Sequence, residues 1–452
     1  MKRYITHILL FVSIAAVFSC KKYLDVKPDK SQVVPVSLDD CQALLNNAGV
    51  LYTLYPSTAE ISSDDYYLTS EVWTSLPNYR REPYLWLKNS DVIYTDWAAA
   101  YSKVLVCNQI LEVLDKIVPT QNEQQQWNRI RGAALLLRSM SFFGLAQVFA
   151  QPYEASTARQ NYGIPIRLTP NLGEKTDRGT LQDTYDRIVK DMTEAISLLP
   201  SKQLVSLADK SISMPAKAAA YAALARVFLV MDNFEQAFIN ADLSLREKGT
   251  LMDYKTINAQ PTYPIPRFNV EVLYETGCNA LVPITYGIVN PELYNLYESG
   301  DLRKTLFFRN KGNDTYQFKG TYIPGTIFNG LATDEMYLIR AECAARAGQV
   351  SNALVDLNTL RMSRWDTTYV PLTANDADEV LKMVLTERRR ELLFRGLRWM
   401  DLRRLNKDSR FAQILTRSLN GQEYTLPPRD LRYTLLVPRE VLERVDIPQN
   451  PR

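Results

Sequence analysis

The stretch Thr386-Glu387-Arg388-Arg389-Arg390-Glu391-Leu392-Leu393-Phe394-Arg395-Gly396-Leu397-Arg398-Trp399-Met400-Asp401-Leu402-Arg403-Arg404 says more about architecture than any other part of this chain. Leu381, Leu385, Leu392 and Trp399 recur at steps of four and seven, which predicts one helix with an apolar face. The remaining positions interleave arginines with Glu387, Glu391 and Asp401. Glu391 precedes Arg395 by four and Asp401 precedes Arg404 by three, spacings that pair charges across a helical turn. A uniformly basic helix would suggest nucleic acid. Interleaved acids in a nearly neutral chain suggest charges that pair with one another and with neighbouring segments.

The same economy of charge holds for the whole chain. It has 452 residues, 46% of them hydrophobic, only 17 glycines and a net charge of +3, which suits a large, helix-rich globule. Lys2 and Arg3, an apolar run from Ile8 to Phe18, and Ser19-Cys20 read as a lipoprotein-type secretory signal over residues 1–19. Cys20 would then be the acylated first residue, and a multiply acylated cysteine anchors a protein without a transmembrane helix. Residues 20–36 read as a polar tether. The only histidine, His7, lies inside the signal. A mature chain without histidine excludes Ser-His-Asp and Cys-His catalysis and all histidine-ligated metals. No GxGxxG, GxxxxGK[ST] or GxSxG motif is present. We therefore expect no catalytic residue, no cofactor and no metal. Asp64-Asp65 and Asn313-Asp314 have oxygen donors for Ca²⁺ but read better as turns. Cys41, Cys107, Cys278 and Cys343 match no CxxC spacing; Cys107 and Cys343 fall in helical patterns as buried thiols.

Ser37-Leu38-Asp39-Asp40 starts a short helix with a capping box. Ile93, Trp97, Ala100, Val104, Cys107, Leu111, Leu114 and Val118 form a sustained helical stripe that ends at Pro119. Thr120 and Glu123 cap the next helix, to about Ala150. Residues 151–179 are broken by Pro and Gly. Thr180 and Asp183 then cap an amphipathic helix that ends at Pro200. Residues 215–247 and 334–364 resemble each other at an offset of 116: Ala225, Phe234, Ala237 and Phe238 align with Ala341, Val350, Ala353 and Leu354. Each copy reads as a tetratricopeptide-like helical hairpin, although the two are not in tandem.

Two regions lack helical periodicity, about 50–92 and about 254–330. They are rich in Tyr and Trp among polar, Pro and Gly residues. Aromatic rings on loops held by a rigid scaffold suit sugar recognition, because the apolar face of a pyranose stacks on a ring. Trp73, Tyr79, Trp86, Tyr263, Tyr286 and Tyr322 are the candidate ligand contacts. Trp97 and Tyr185 lie on apolar stripes and read as core.

Glu387-Arg388-Arg389, Glu391-Leu392, Phe394, Gly396, Arg398-Trp399, Asp401-Leu402 and Arg404 resemble the signature of the SusD/RagB family of outer-membrane nutrient-binding lipoproteins. Arg395 departs from it, standing where the family pattern has Glu. Further matches follow in order: Lys21 to Pro28, Asn108 to Leu111, Leu137-Arg138-Ser139 with Phe142, and Tyr162 to Ile166 with Arg178-Gly179-Thr180. Asp191, Ala195 and Leu198-Leu199-Pro200 come next, then Val437-Pro438 with Pro448-Gln449-Asn450-Pro451. The resemblance implies an all-α dominated fold, one domain over 37–452, with a helical scaffold at about 93–250 and 334–405. It also implies a non-enzymatic, lipid-anchored protein at the cell surface of the outer membrane. Such a protein captures an oligosaccharide, or a peptide, and passes it to a SusC-like TonB-dependent barrel. Two other readings are a periplasmic helical-repeat scaffold with no small ligand and a carboxylate-only glycoside hydrolase. Nothing in the sequence points to nucleic acid.

Overall fold

The computed structural model describes residues 35–452 apart from 54, 176, 203, 206–212 and 279–281. The signal segment, Cys20 and nearly all of the 20–36 tether lie outside the described residues. Ten longer helices carry the framework: α1 Leu38–Leu45, α2 Tyr94–Leu114, α3 Gln124–Phe149, α4 Leu181–Leu198, α5 Lys217–Val230, α6 Phe234–Glu247, α7 Thr333–Arg346, α8 Val350–Met362, α9 Ala377–Glu391 and α10 Arg398–Leu405. The capping boxes expected at Ser37/Asp40 and Thr180/Asp183 both form. At Thr120 the Glu123 carboxylate accepts from the Thr120 amide at 2.9 Å and from its hydroxyl at 2.7 Å, but a turn intervenes before α3 begins.

From α2 to α9 each helix packs on the next, so the framework is a stack of antiparallel hairpins. Small residues set the spacing. Ala218, Ala219, Ala220, Ala222, Ala223 and Ala225 are buried along α5, between α4 and α6. A side chain at Gly132 of α3 would meet Leu199 at 2.9 Å, just past the end of α4. The offset repeat is real: α5 and α6 correspond to α7 and α8, and Ala225, Ala237, Ala341 and Ala353 are all fully buried. The sequence places the two copies far apart, but α6 packs directly on α7, so the stack is continuous in space across the 248–332 insertion. α3 is long and apolar enough to cross a membrane, but nearly all of it is covered by protein.

Several residues of the family motifs prove to be structural. Arg138 of α3 clamps Asp191 of α4 through two hydrogen bonds of 2.8 and 3.0 Å and donates to Asn108 of α2 at 2.9 Å, so one guanidinium joins three helices. The C-terminus of α3 leaves carbonyls that the helix cannot satisfy itself. Arg178 and Asn450 both donate to Phe149 O, at 2.8 and 2.9 Å; Leu435 N donates to Val148 O at 2.9 Å; Arg403 reaches the carbonyls of Ala146, Gln147 and Ala150.

The signature stretch departs from the single helix its periodicity predicts. α9 ends at Glu391, the chain turns, and α10 starts at Arg398. Phe394 and Gly396 take left-handed backbone angles, with φ of 49° and 70°, which ends a right-handed helix. The expected Glu391–Arg395 pair does not form. Glu391 binds Arg303 at 2.6 Å and Arg364 at 2.7 Å, whereas Arg395 binds Asp334 at 3.0 Å. The Asp401–Arg404 pair does form, at 2.8 Å. Cys41, Cys107, Cys278 and Cys343 are all buried.

Candidate functional site

The arginines of the signature stretch hold down both aromatic regions. Arg398 binds Asp64 through two contacts of 2.6 and 2.8 Å, and Arg389 binds Asp65 at 3.0 Å. Burial alone would raise the Asp64 carboxyl, but Arg398 and Arg389 outweigh it and hold the group well below the usual carboxylate range. Asp64 and Asp65 are therefore anchors, with their oxygens committed to guanidinium rather than to Ca²⁺. Asn313 and Asp314 form the expected turn, both with positive φ, closing the hairpin Phe308–Gly312/Thr315–Phe318. Phe394 packs on Tyr66 at 6.1 Å and on Phe318 at 5.1 Å, so one ring supports a piece of each insertion.

On this support the two insertions meet. Tyr66–Tyr67 pairs antiparallel with Ile288–Val289. Strand alternation sends Tyr66 into the core, where its hydroxyl donates to Ile61 O at 2.7 Å, and leaves Tyr67 36% exposed opposite Ile288. Gly287 is needed here, since a Cβ would lie 2.7 Å from the Tyr66 ring and 2.4 Å from Pro283 O. Its neighbour Tyr286 is 45% exposed. Gln317 of the hairpin donates to Thr285 O at 2.7 Å and Ile284 O at 3.1 Å, which docks the hairpin beside Tyr286. Tyr316, next along the hairpin, stacks face to face on Tyr294 at 3.6 Å. Arg309 reaches Thr262 O at 3.3 Å and brings in the loop of half-exposed Tyr263. The result is a rim of part-exposed phenol rings fixed by backbone-directed hydrogen bonds.

Four of the six sequence candidates remain accessible, and the structure corrects the other two. Tyr263, Tyr286 and Tyr79 are exposed, and Trp73 is half-buried, its indole N–H donating to Arg81 O at 2.9 Å. Trp86 is in the core. Its indole N–H donates to Ser62 O at 2.9 Å, and the Arg417 guanidinium covers its ring at 4.5 Å. Tyr322 is 1% exposed, its hydroxyl donating to Glu271 at 2.6 Å beneath the Arg395 guanidinium. Both stand in polar, turn-rich sequence, but the arginines that cover them arrive from distant sequence. Tyr67 and the Tyr294/Tyr316 stack were not singled out; the Tyr66-Tyr67 dipeptide carried a usable signal, since a strand must send one ring outward. Trp97 and Tyr185 are buried as expected.

Among the described residues Glu271, Asp334 and Glu391 bring three buried carboxylate oxygens within 4.8 Å of one another. Arg364, Arg395 and Tyr322 already bind them, so the cluster is neutralised by protein. A cleft of about 930 Å³ lies elsewhere, between the Tyr94–Tyr101 face of α2 and the segments 165–177 and 440–447.

This is a helical-hairpin scaffold that presents two riveted aromatic insertions. The chain belongs to the SusD family: residues 22–229 match the SusD-like family described as starch-binding and associating with the outer membrane, and residues 333–433 match the SusD family itself. Over 79 residues it is 38% identical to a SusD-like protein of Formosa agariphila, a match spanning 16% of each chain. A SusD superfamily protein of Bacteroides thetaiotaomicron is similar in structure, with a TM-score of 0.74 and 21% identity over 92% of this chain and 100% of that one. Surface glycan-binding protein A of Bacteroides uniformis gives a TM-score of 0.67 and 17% identity over 92% and 99%. At such identities the structural likeness is one of fold.

Proposed function

We propose that this protein is a lipid-anchored, cell-surface binding subunit that captures an oligosaccharide on the phenol rim and passes it to a SusC-like TonB-dependent outer-membrane barrel. The observation that carries the proposal is the convergence of both insertions on one rim, with Tyr67, Tyr263, Tyr286 and the Tyr294/Tyr316 stack presented by a scaffold of the SusD family. Ring faces take the apolar side of a sugar, and adjacent amides and hydroxyls bond its hydroxyl groups. Trp73 and Tyr79, on the helices that follow Tyr66–Tyr67, are further accessible rings of the first insertion. The role requires no bond-breaking residue. Energy comes from the barrel's coupling system, and modest affinity serves a subunit that must release its cargo. The match to a family described as starch-binding favours a glycan over a peptide.

The test is a tagged pull-down of the lipidated chain from detergent-solubilised outer membranes, with glycan and peptide binding panels alongside. A stoichiometric large β-barrel is the expected partner, and Tyr286→Ala should lower glycan affinity. A chain that comes down alone would refute the uptake role. Loss of glycan binding in Tyr94→Ala but not in Tyr286→Ala would move the ligand to the cleft beside α2.

A further inference from the structure

The cleft of about 930 Å³ beside α2 shares no lining residue with the phenol rim. Clefts that hold small ligands run from roughly 300 to 1,000 Å³, so this one has room for a chain rather than a single ring. Its floor is the Tyr94–Tyr101 face of α2. The two tyrosines stand seven residues apart, close to two helical turns, so both project to the same side about 10 Å apart along the axis. Tyr101 is fixed: its hydroxyl donates to Pro165 O at 2.8 Å, and Trp97 packs on its ring with centroids 5.1 Å apart. Tyr94 is part-exposed, with the Arg444 guanidinium 5.9 Å from its ring centre.

The wall formed by residues 165–175 is tied to the scaffold. Asn108, itself held by Arg138, donates to Arg167 O at 3.0 Å and Thr169 O at 3.2 Å. The Arg167 guanidinium donates to the carbonyls of Asn171 and Glu174, and the Thr169 hydroxyl donates to the Glu174 carboxylate. A loop tied this closely gains nothing from an apolar side chain at its surface, yet it holds Leu172 out at 77% exposure. On the opposite wall Val445 is 44% exposed. Both side chains line the cleft, and ordered apolar groups kept in water beside a concave surface mark a place where a ligand covers them.

The charges around the cleft favour a neutral polyol over an ion. Lys175 and Asp177 stand on one wall, and Glu440, Arg444 and Asp446 on the other. All five are exposed, and none forms an ion pair among the described residues. Each wall therefore presents both signs. An anion or a cation would meet like charge as well as opposite charge. A hydroxyl group both donates and accepts, so it bonds ammonium, guanidinium and carboxylate alike. Rings below and mixed charges at the sides match the two faces of a sugar, one apolar and one edged with hydroxyls.

We propose that this cleft is a second carbohydrate site, which takes a neutral oligosaccharide along α2. Its rings lie on Tyr94 and Tyr101, and its hydroxyls bond Lys175, Asp177, Arg444 and Asp446. The inference rests on the reading of this chain as a glycan-binding subunit and adds to the phenol rim a site with its own walls.

The test is hydrogen–deuterium exchange on the whole mature chain, titrated with maltoheptaose, with laminarihexaose and with an uncharged decapeptide. The expected result is that an oligosaccharide slows exchange in residues 165–175 and 440–447, in addition to the rim segments 284–289 and 308–318. Tyr94→Ala should weaken the cleft protection about tenfold, as for a lost stacking ring, and leave the rim protection in place. Leu172→Ser changes a side chain that is 77% exposed, so it should keep the melting temperature and also weaken the cleft protection. Tyr286→Ala should give the opposite pattern. Protection of the rim alone overturns this inference and leaves the uptake reading standing. Protection of the cleft alone supports it and removes the rim from the uptake reading. Protection of neither by either sugar overturns both, and protection of the cleft by the peptide but by no sugar overturns its assignment to carbohydrate.

Discussion

Replacing Arg395 tests whether the buried ion pairs are the joints between scaffold and insertions. Arg395 is 3% exposed, binds Asp334 at 3.0 Å, and lies over the rings of Tyr322 at 4.4 Å and Phe328 at 4.5 Å. Two unit charges at 3 Å interact by about 5 kcal/mol at an effective dielectric of roughly 20. Removing one partner of a buried pair typically costs about 3–5 kcal/mol, because the other charge is left uncompensated. Arg395→Met keeps the stem and its ring contacts, so its cost should be mostly this charge term. Asp334 also sits within the cluster of Glu271 and Glu391, so Arg395→Glu adds repulsion of similar size and should yield no folded chain, given typical domain stabilities of about 5–15 kcal/mol. The double variant Arg395→Met/Asp334→Asn removes both charges and should recover much of the single variant's loss. Urea unfolding followed by tryptophan fluorescence gives the three stabilities. If the double variant is as unstable as Arg395→Met, or if Arg395→Glu folds normally, the charge-pair account is wrong.

The remaining predictions concern the rim, a buried amine and the chain's closure. Trp86→Ala should cost about 3–5 kcal/mol of stability as a large core truncation, whereas Tyr286→Ala should leave the melting temperature nearly unchanged and weaken glycan binding; the reverse pattern would undo the assignment of core and rim. Lys103 is buried over the Tyr55 ring at 3.7 Å, its amine makes no hydrogen bond among the described residues, and burial draws it down to about 7. The unfolded lysine keeps its proton to about 10.4, so the unfolded state binds more protons between these values and this residue makes stability rise with pH there. Lys103→Met should therefore stabilise more at pH 6.5 than at pH 9.5, and equal gains at both would show that the amine is not the cause. Asn450→Ala removes donors to Phe149 O and Leu435 O and should lower stability by about 1–3 kcal/mol, measured by thermal unfolding.

Features that depend on local spacing were legible in the sequence. The stripes of α2 and α4, the capping boxes at Ser37 and Thr180 and the offset of 116 between hairpins are all short-range patterns, and each matches an element of the structure. The break inside the signature stretch was missed because periodicity records where side chains point and not backbone angle; Gly396 was the available clue. The rim was half legible for another reason. Composition marked both insertions as aromatic and loop-rich, but the side each ring faces depends on partners distant in sequence. Arg417 covers Trp86 and Arg395 covers Tyr322, and neither encounter leaves a trace in the local sequence.

The end of α3 has a consequence for the order in which this chain can become itself. Its terminal carbonyls are closed by Arg178, Arg403, Leu435 and Asn450, the last of these 301 residues downstream of Phe149. A chain delivered from its N-terminus presents this long buried helix early and receives the Asn450 cap for it only 301 residues after Phe149. Until then the helix end is an open seam, with unsatisfied backbone carbonyls at Val148 and Phe149. A chain clipped short of Asn450 would keep that seam, and it would be the first place for a protease or an aggregating neighbour to enter. The fold thus depends on a contact that links the end of α3 to a segment far downstream.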